Sequence, residues 1–525
     1  MEITRYPKEN RDAEGNITEI LGWEDAAHTT NLGVMRTYGL KDTFPDEVME
    51  ELKNIPDEIS PKDMKNRRDL CDECIITIDG EDAKDLDDAV AVKMLENGNY
   101  LLSVHIADVS NYVRPGSALF QEALKRGTSV YLAGTVIPML PPKLSNGICS
   151  LNENQKRLTL SVNMEITPKG EIQNHELYQA IIQTSHRMTY TDVTKILEGN
   201  RRLQKQYADI LEMLRLMRKL AKLLRRKRMK EGSIDFNFPE TKLQFDDVGN
   251  VCGVAAYEYT ISNQIIEEFM LCANKTVAEA FYWMDYPFVY RIHETPSEEK
   301  MTELLRLLRL FGQNIKGNTE EIHPKALQQV LEAIKEEPYA RVIGTVMLRS
   351  MMKARYSTNN QGHFGLAAKY YCHFTSPIRR LADLVIHSII KEWLNGKLDE
   401  KRQAAYSEIA EIAAKSASGR EVVAEEAERL SVKLKIAEYM SSFIGEEFDG
   451  IISSIVSSGF YVELENTVEG RVGLADMEDD YYEYNPDSYS LMGRRTGKSY
   501  HIGDVVKIQL ARADKITGEI DFVLI

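Results

Sequence analysis

Residues 75–94 read Ile75-Ile76-Thr77-Ile78-Asp79-Gly80-Glu81-Asp82-Ala83-Lys84-Asp85-Leu86-Asp87-Asp88-Ala89-Val90-Ala91-Val92-Lys93-Met94. An apolar strand runs into an acidic loop and out into a second apolar strand. Six acids within the ten residues 79–88 would repel one another strongly unless something cationic lay among them. Carboxylates that converge on one spot are hard oxygen ligands of the kind magnesium accepts. A calcium loop does not fit, because the glycine is misplaced and strands rather than helices flank the acids. The alternative is a solvated acidic turn, and spacing alone leaves both open.

Strand-like runs at 75–79, 88–95, 100–107 and 158–166 dominate the first part of a long mixed α/β region around this loop. Amphipathic helices follow. Leu203, Tyr207, Ile210, Leu214, Met217, Ala221 and Leu224 recur at helical spacing over 203–224, and 262–283 and 301–313 behave likewise. Residues 445–525 change character: short alternating segments broken by Gly and Asp predict a small β-barrel. There Phe460 and Tyr461 sit on a strand where bases could stack, and Tyr481, Tyr482 and Tyr484 form a second aromatic group in a tyrosine-rich loop. Residues 1–24 alternate and turn at Glu14-Gly15-Asn16, a hairpin too small to fold alone, and a polar connector runs over 25–66.

The chain has 525 residues, enough for about three or four domains. Its longest apolar stretches, such as 342–348, fall far short of the roughly 18 residues of a membrane span. The start carries no apolar signal-peptide run. Cysteines 71, 74, 149, 252, 272 and 372 are scattered, which is no disulfide framework and fits a reducing cytoplasm. Cys71 and Cys74 lack a second pair for zinc, and His293-Glu294 lacks the second His of a zinc protease. Net charge is 65 − 81 = −16, which by itself argues against a polyanionic partner. Its distribution argues otherwise: residues 201–230 hold twelve Lys/Arg against Asp209 and Glu212. That band is either a guide for a polyanion or a solvated helix face.

A second motif reads His373-Phe374-Thr375-Ser376-Pro377-Ile378-Arg379-Arg380. Thr375 or Ser376 is a natural N-cap and Pro377 a natural first helical residue, so both arginines are expected in a helix's first turn. A helix N-terminus with planar bidentate donors favours phosphate; the alternative is a surface helix paired with acids. Tyr131, before a proline-rich loop, reads equally as core or as a base-stacking platform.

IDGEDAKDLDDAV, VHIADVSNYV, IPMLPPKLSNGICSLN, YRIHETP and YCHFTSPIRR occur in this order. Together they resemble the ribonuclease II/ribonuclease R (RNB) family of exoribonucleases, over residues 67–440. The resemblance implies a multidomain α+β chain: a remnant of a cold-shock-like domain at 1–24, a catalytic domain at 67–440 and an OB-fold barrel of the ribosomal protein S-one type at 445–525. It implies that Asp79, Asp85, Asp87 and Asp88 surround two Mg²⁺ ions (or Mn²⁺), with Asp87 the most critical. Arg379 and Arg380 would meet phosphate, Tyr131 would stack on the 3′ base, Glu428 would lie near the site, and Glu268 would help choose RNA over DNA. The implied activity is 3′-to-5′ hydrolysis of single-stranded RNA to 5′-nucleoside monophosphates by a cytoplasmic monomer, associated with ribosomes or RNA-decay machinery. A catalytically inactive RNA-binding scaffold is the alternative, though nothing would then retain four mutually repelling carboxylates. Two positions depart from the pattern: Leu381-Ala382 replaces the usual Tyr-Pro, and Ala475-Asp476 replaces a His-Ser pair after Gly473-Leu474. Upstream cold-shock domains and a basic tail are expected to be missing, which would reduce RNA recruitment.

Overall fold

The apolar runs flanking the acidic loop pair with each other, Ile76 opposite Val90. In the computed structural model, which describes residues 2–8, 11–23, 28–236, 241–315, 322–337, 339–486 and 488–525, they form the heart of a seven-stranded sheet. The strand order is His186–Thr189, Ile76–Asp79, Asp88–Met94, Tyr100–Ala107, Lys156–Ile166, Ile172–Gln183, Arg68–Leu70. The two outermost pairs are parallel and the inner ones antiparallel. Val104, His105, Ile106 and Ala107 are buried in succession, which requires cover on both faces of the sheet. Helices Leu211–Glu231 and Ile261–Trp283 pack on the central strands, and Leu381–Leu394 packs on Ile172–Gln183.

The helix Glu400–Met440 has 41 residues and is therefore about 60 Å long. Its buried face, Tyr406, Ala410, Ala413, Ala417, Ala424, Ala427, Ser431 and Leu434, is built mainly of small residues that let neighbours approach closely. Gly127 shows how closely: a Cβ there would lie 2.6 Å from Cβ of Arg420, and φ is +68°. The far end of this helix places Ala437 and Met440 in the core of the C-terminal barrel. That barrel closes in the order Glu447–Val456, Gly459–Leu464, Glu469–Gly473, Ile520–Leu524, Val505–Ala513. A separate core unites helices Glu298–Leu310, Pro324–Ala333 and Ala340–Ser350.

Four expectations change at this level. The N-terminal hairpin exists, but Glu14–Asn16 is its second strand, paired with Glu2–Arg5; the chain reverses where Lys8 and Arg11 exchange backbone hydrogen bonds of 3.1 and 2.8 Å. The helical run 203–224 is two helices, Arg201–Gln206 and Leu211–Glu231. Between them Asp209 meets His186 at 2.6 Å and Tyr207 packs edge-on against the same ring, so tertiary contacts outbid the periodicity. Tyr482 and Tyr484 lie on a strand, Tyr482–Asn485, of a three-stranded sheet inserted in the barrel, where Tyr482 packs on Tyr500. Pro377–Arg379 form a turn, and the helix begins only at Leu381. Among the described residues no helix is long and apolar enough to cross a membrane.

Candidate active site

The acidic loop is held from both sides. Ser150 Oγ accepts from Leu86 N–H at 3.0 Å and donates to the Lys84 carbonyl at 2.8 Å, which gives the proline-rich stretch before it a structural purpose. Arg187 donates to the carbonyls of Glu81 and Ala83 at 3.2 and 2.6 Å. Leu86 is fully buried beneath, so the acids on either side of it share one side of the loop.

The second motif docks against this loop through backbone. Ile378 N–H donates to Asp87 Oδ1 at 2.9 Å, and Arg379 Nε lies 3.8 Å from Asp87 Oδ2. Arg379 is half-exposed, steadied by a 3.1 Å hydrogen bond from its guanidinium to Ser376 Oγ, and so remains available to a ligand. The turn also carries the strand bearing Tyr131: Ser129 N–H donates to Arg379 C=O at 2.9 Å and Leu381 N–H to Gly127 C=O at 3.0 Å. Tyr131 lies between buried Val130 and Leu132, so strand alternation turns its ring outward, 40% exposed. Its hydroxyl donates to Asp85 Oδ2 at 3.1 Å and its N–H to Glu428 Oε1 at 2.7 Å. Tyr131 is therefore not core. Asp79, Asp85, Asp87, Asp88, Arg379, Tyr131 and Glu428, drawn from four distant parts of the sequence, meet in one place.

Burial and mutual repulsion dominate the electrostatics of the acids. Burial is the main force raising the carboxyl pKa of Asp87, well above the usual range, against the pull of Arg379 and the Ile378 N–H. Asp79 and Asp88 are raised by burial and then by a neighbouring acid, Asp85 for the first and Asp79 for the second. Oδ2 of Asp79, of Asp87 and of Asp88 is buried without a hydrogen-bond partner, and no other carboxylate among the described residues is left so. Buried acceptors of this kind are costly unless paired with charge. No three His, Cys, Asp or Glu side chains among the described residues already stand as a finished ligand cage. The donor set nonetheless fits divalent cations that keep part of their coordination for water and phosphate. Glu428 is also raised by burial.

Three of the expected RNA-facing residues turn inward instead. Arg380 is mostly covered, 17% exposed, and committed to Asp383, Nε and Nη2 reaching its oxygens at 3.0 and 2.8 Å, so it shapes the turn. Glu268 is buried on helix Ile261–Trp283 and accepts from Arg228 at 3.0 and 2.6 Å; the helical face inward at that point takes Glu268 and leaves Glu267 at the rim. Phe460 has no exposed surface and fills the barrel core, while its neighbour Tyr461 points outward on the same strand. Sequence reading overlooked Asp383, Arg187 and Tyr190. Burial first, and then the charges of Asp79 and Asp88, push the Tyr190 phenol pKa above its usual value. Asp383 had a signal: it is the lone acid in the apolar run 381–390.

Comparison with known proteins matches residues 67–396 to the RNB domain, 441–524 to the S1 RNA binding domain and 1–45 to the cold shock domain. Ribonuclease R of Thermotoga maritima is 44% identical over 530 residues, covering 100% of this chain and 74% of that protein. The chain belongs to the ribonuclease R family. Ribonuclease R 1 of Lactococcus lactis subsp. lactis (strain IL1403) is also 44% identical, over 99% of this chain, which spans 64% of that relative's length. The solved structure of Mycoplasma genitalium RNase R in complex with ribose methylated single-stranded RNA superposes with a TM-score of 0.92 at 28% identity, covering all of this chain and 82% of the other. The RNB domain followed by an OB-fold barrel is thus the architecture of the family, and the barrel is of an RNA-binding type.

Proposed function

We propose that this chain is a metal-dependent 3′-to-5′ exoribonuclease that shortens single-stranded RNA processively and releases 5′-nucleoside monophosphates. The observation that carries the reading is the meeting of three orphaned buried carboxylate oxygens with a half-exposed arginine and an outward tyrosine. Asp79, Asp85, Asp87 and Asp88 would hold magnesium or manganese, two ions on the family's pattern. When bound, divalent ions supply an activated water and charge neutralisation at the leaving 3′-oxygen.

The chain's own groups do the rest. Arg379 would bind the scissile phosphate and offset charge developing on it, an effect worth roughly 10²–10³ in rate for one well-placed donor. The Ile378 N–H keeps Asp87 Oδ1 occupied, so that Oδ2 faces the site. Tyr131 would stack on the 3′-terminal base, an interaction that tolerates any base. Glu428 would anchor the Tyr131 hairpin through its backbone. Tyr461, and at the edge of the inserted sheet Tyr481 with the Arg494 guanidinium 5.2 Å from its ring, offer stacking surface on the barrel. The exposed basic residues of helix Leu211–Glu231 would guide the polyanion. All six cysteines are free, which suits a reducing cytoplasm. The S-one type barrel suits RNA as the partner, and the chain would act as a monomer that meets RNA on ribosomes or in decay complexes.

The test is to digest uniformly labelled single-stranded RNA and separate the products. The reading requires 5′-monophosphates and one short terminal fragment; internal fragments or 3′-phosphates would reject it.

A further inference from the structure

The hairpin Val130–Leu132/Thr135–Ile137, which presents Tyr131, turns through Ala133 and Gly134. It forms a two-stranded sheet of its own, joined to the Pro377–Arg379 turn through Ser129 N–H and to the acidic loop through the Tyr131 hydroxyl. Its turn is held by a further, largely buried ring of hydrogen bonds from two remote elements. Asn31, on helix Thr29–Thr37, donates through Nδ2 to the Ala133 carbonyl at 2.8 Å and to Thr135 Oγ1 at 3.1 Å. Ser431, on the long helix, accepts from the Ala133 N–H at 3.0 Å and donates to Asn31 Oδ1 at 2.7 Å. Both side chains are buried, at 5% and 0% exposure. The peptide groups of Ala133 are therefore pinned on both sides, two residues beyond Tyr131. Glu428 holds the Tyr131 N–H from three residues earlier on the same helix, so Glu428 and Ser431 hold N–H groups two residues apart, one on the strand and one in its turn. Val34, Met35, Leu132, Ile137, Ala424 and Ala427 pack around this ring as one apolar cluster, which keeps water from competing for its bonds.

We infer that Asn31 and Ser431 are positioning residues that set the Tyr131 platform, and with it the place where an RNA strand's 3′ end comes to rest. Asn31 belongs to the segment matched to the cold shock domain, and Ser431 to the helix that ends inside the RNA-binding barrel. The ring thus ties the platform to both flanking parts of the chain. A displacement of either helix would reach Tyr131 through these bonds. This inference rests on the stacking role proposed for Tyr131.

The test uses the full chain carrying Asp87→Asn, so that bound RNA stays intact, and a single-stranded RNA whose 3′-terminal base is 2-aminopurine. Stacking on Tyr131 quenches the probe; Tyr131→Ala should abolish the quench. Asn31→Ala and Ser431→Ala should each remove most of it and weaken terminal-base binding about fivefold, the low end of what a lost stack costs. A probe at an interior base should be unaffected. In the otherwise unaltered enzyme both variants should leave a longer final fragment and raise KM more than they lower kcat. Thr135→Val, which removes only the outermost bond of the ring, should give a smaller shift of the same sign and remains testable should a buried variant fail to fold. If Tyr131→Ala abolishes the quench while Asn31→Ala, Ser431→Ala and Thr135→Val keep it, the inference is overturned and the stacking role stands. If Tyr131→Ala itself leaves the quench intact, the stacking role fails and the inference falls with it.

Discussion

Two adjacent arginines offer the sharpest contrast in the molecule. Arg379 is half-exposed, 3.8 Å from Asp87, with one hydrogen bond to Ser376. Arg380 is mostly covered and bidentate to Asp383, whose side chain has no exposed surface and also accepts the Ser376 N–H at 2.7 Å. Arg380→Ala leaves Asp383 as an uncompensated buried charge, and breaking such a pair costs about 3–5 kcal/mol. Replacing both partners, as Arg380→Met with Asp383→Leu, removes the stranded charge and should recover much of that loss. Arg379→Ala removes a half-exposed, solvent-screened partner 3.8 Å from buried Asp87, whose Oδ1 keeps the Ile378 N–H; its stability cost should stay within about 1 kcal/mol, well below that of Arg380→Ala. Its rate, by contrast, should fall roughly 10²–10³-fold if it stabilises charge on the phosphate. Urea denaturation gives the first quantity and single-turnover RNA hydrolysis the second. An Arg380→Ala protein with an unchanged denaturation midpoint, or an Arg379→Ala protein destabilised as much as Arg380→Ala, would refute the division of labour.

The same assays reach three other parts of the molecule. Phe460→Ala should cost the barrel about 3–5 kcal/mol by opening a cavity, whereas Tyr461→Ala should leave it folded and weaken RNA binding by roughly 1–3 kcal/mol, as measured by denaturation and filter binding. Lys219, Lys222 and Arg226 are exposed at helical spacing on helix Leu211–Glu231; replacing all three by Ala should lower the slope of log affinity against log salt by about 0.7 for each phosphate no longer neutralised, and an unchanged slope would make them a solvated face. Asp108 is buried against Lys391 and Arg67, at 2.9 and 2.6 Å; burial pushes its pKa up, but those two cations together hold it below the usual range. Because its folded pKa lies below the unfolded value, its contribution is present above about pH 4 and is lost as pH falls through the folded pKa. Asp108→Asn should therefore cost about 3–5 kcal/mol near neutrality and progressively less below pH 4, by denaturation across pH.

The strands around the acidic loop were legible because their apolar runs are uninterrupted and their length fits strands; 100–107 and 158–166 fall within the strands found, 100–107 matching at both ends. The barrel was legible from alternation broken by glycine. What the sequence hid is which of two neighbours faces inward. Within each of the pairs Arg379 and Arg380, Glu267 and Glu268, Phe460 and Tyr461, the two side chains are of one chemical kind, and only the packing of Asp383, Arg228 and the barrel core decides between them. The helical start expected at Pro377 gave way because Asp383 binds the Ser376 N–H from inside the helix and holds 377–379 in a turn. The meeting of Tyr131 with Asp85 and Glu428 joins residues 46 and 297 positions apart, beyond any local pattern.

The central claim is that the buried acids of the 79–88 loop form a metal-dependent nuclease centre acting from the 3′ end. The most direct measurement follows a 5′-labelled single-stranded RNA on a denaturing gel with Mg²⁺, with chelator, and with Asp87→Asn. The label should descend to one short fragment with Mg²⁺ and stay at full length with chelator. Asp87→Asn should bind RNA as before yet cut it at least roughly 10²–10³ times more slowly. Near-normal shortening by Asp87→Asn, or shortening that chelator does not stop, would contradict the claim.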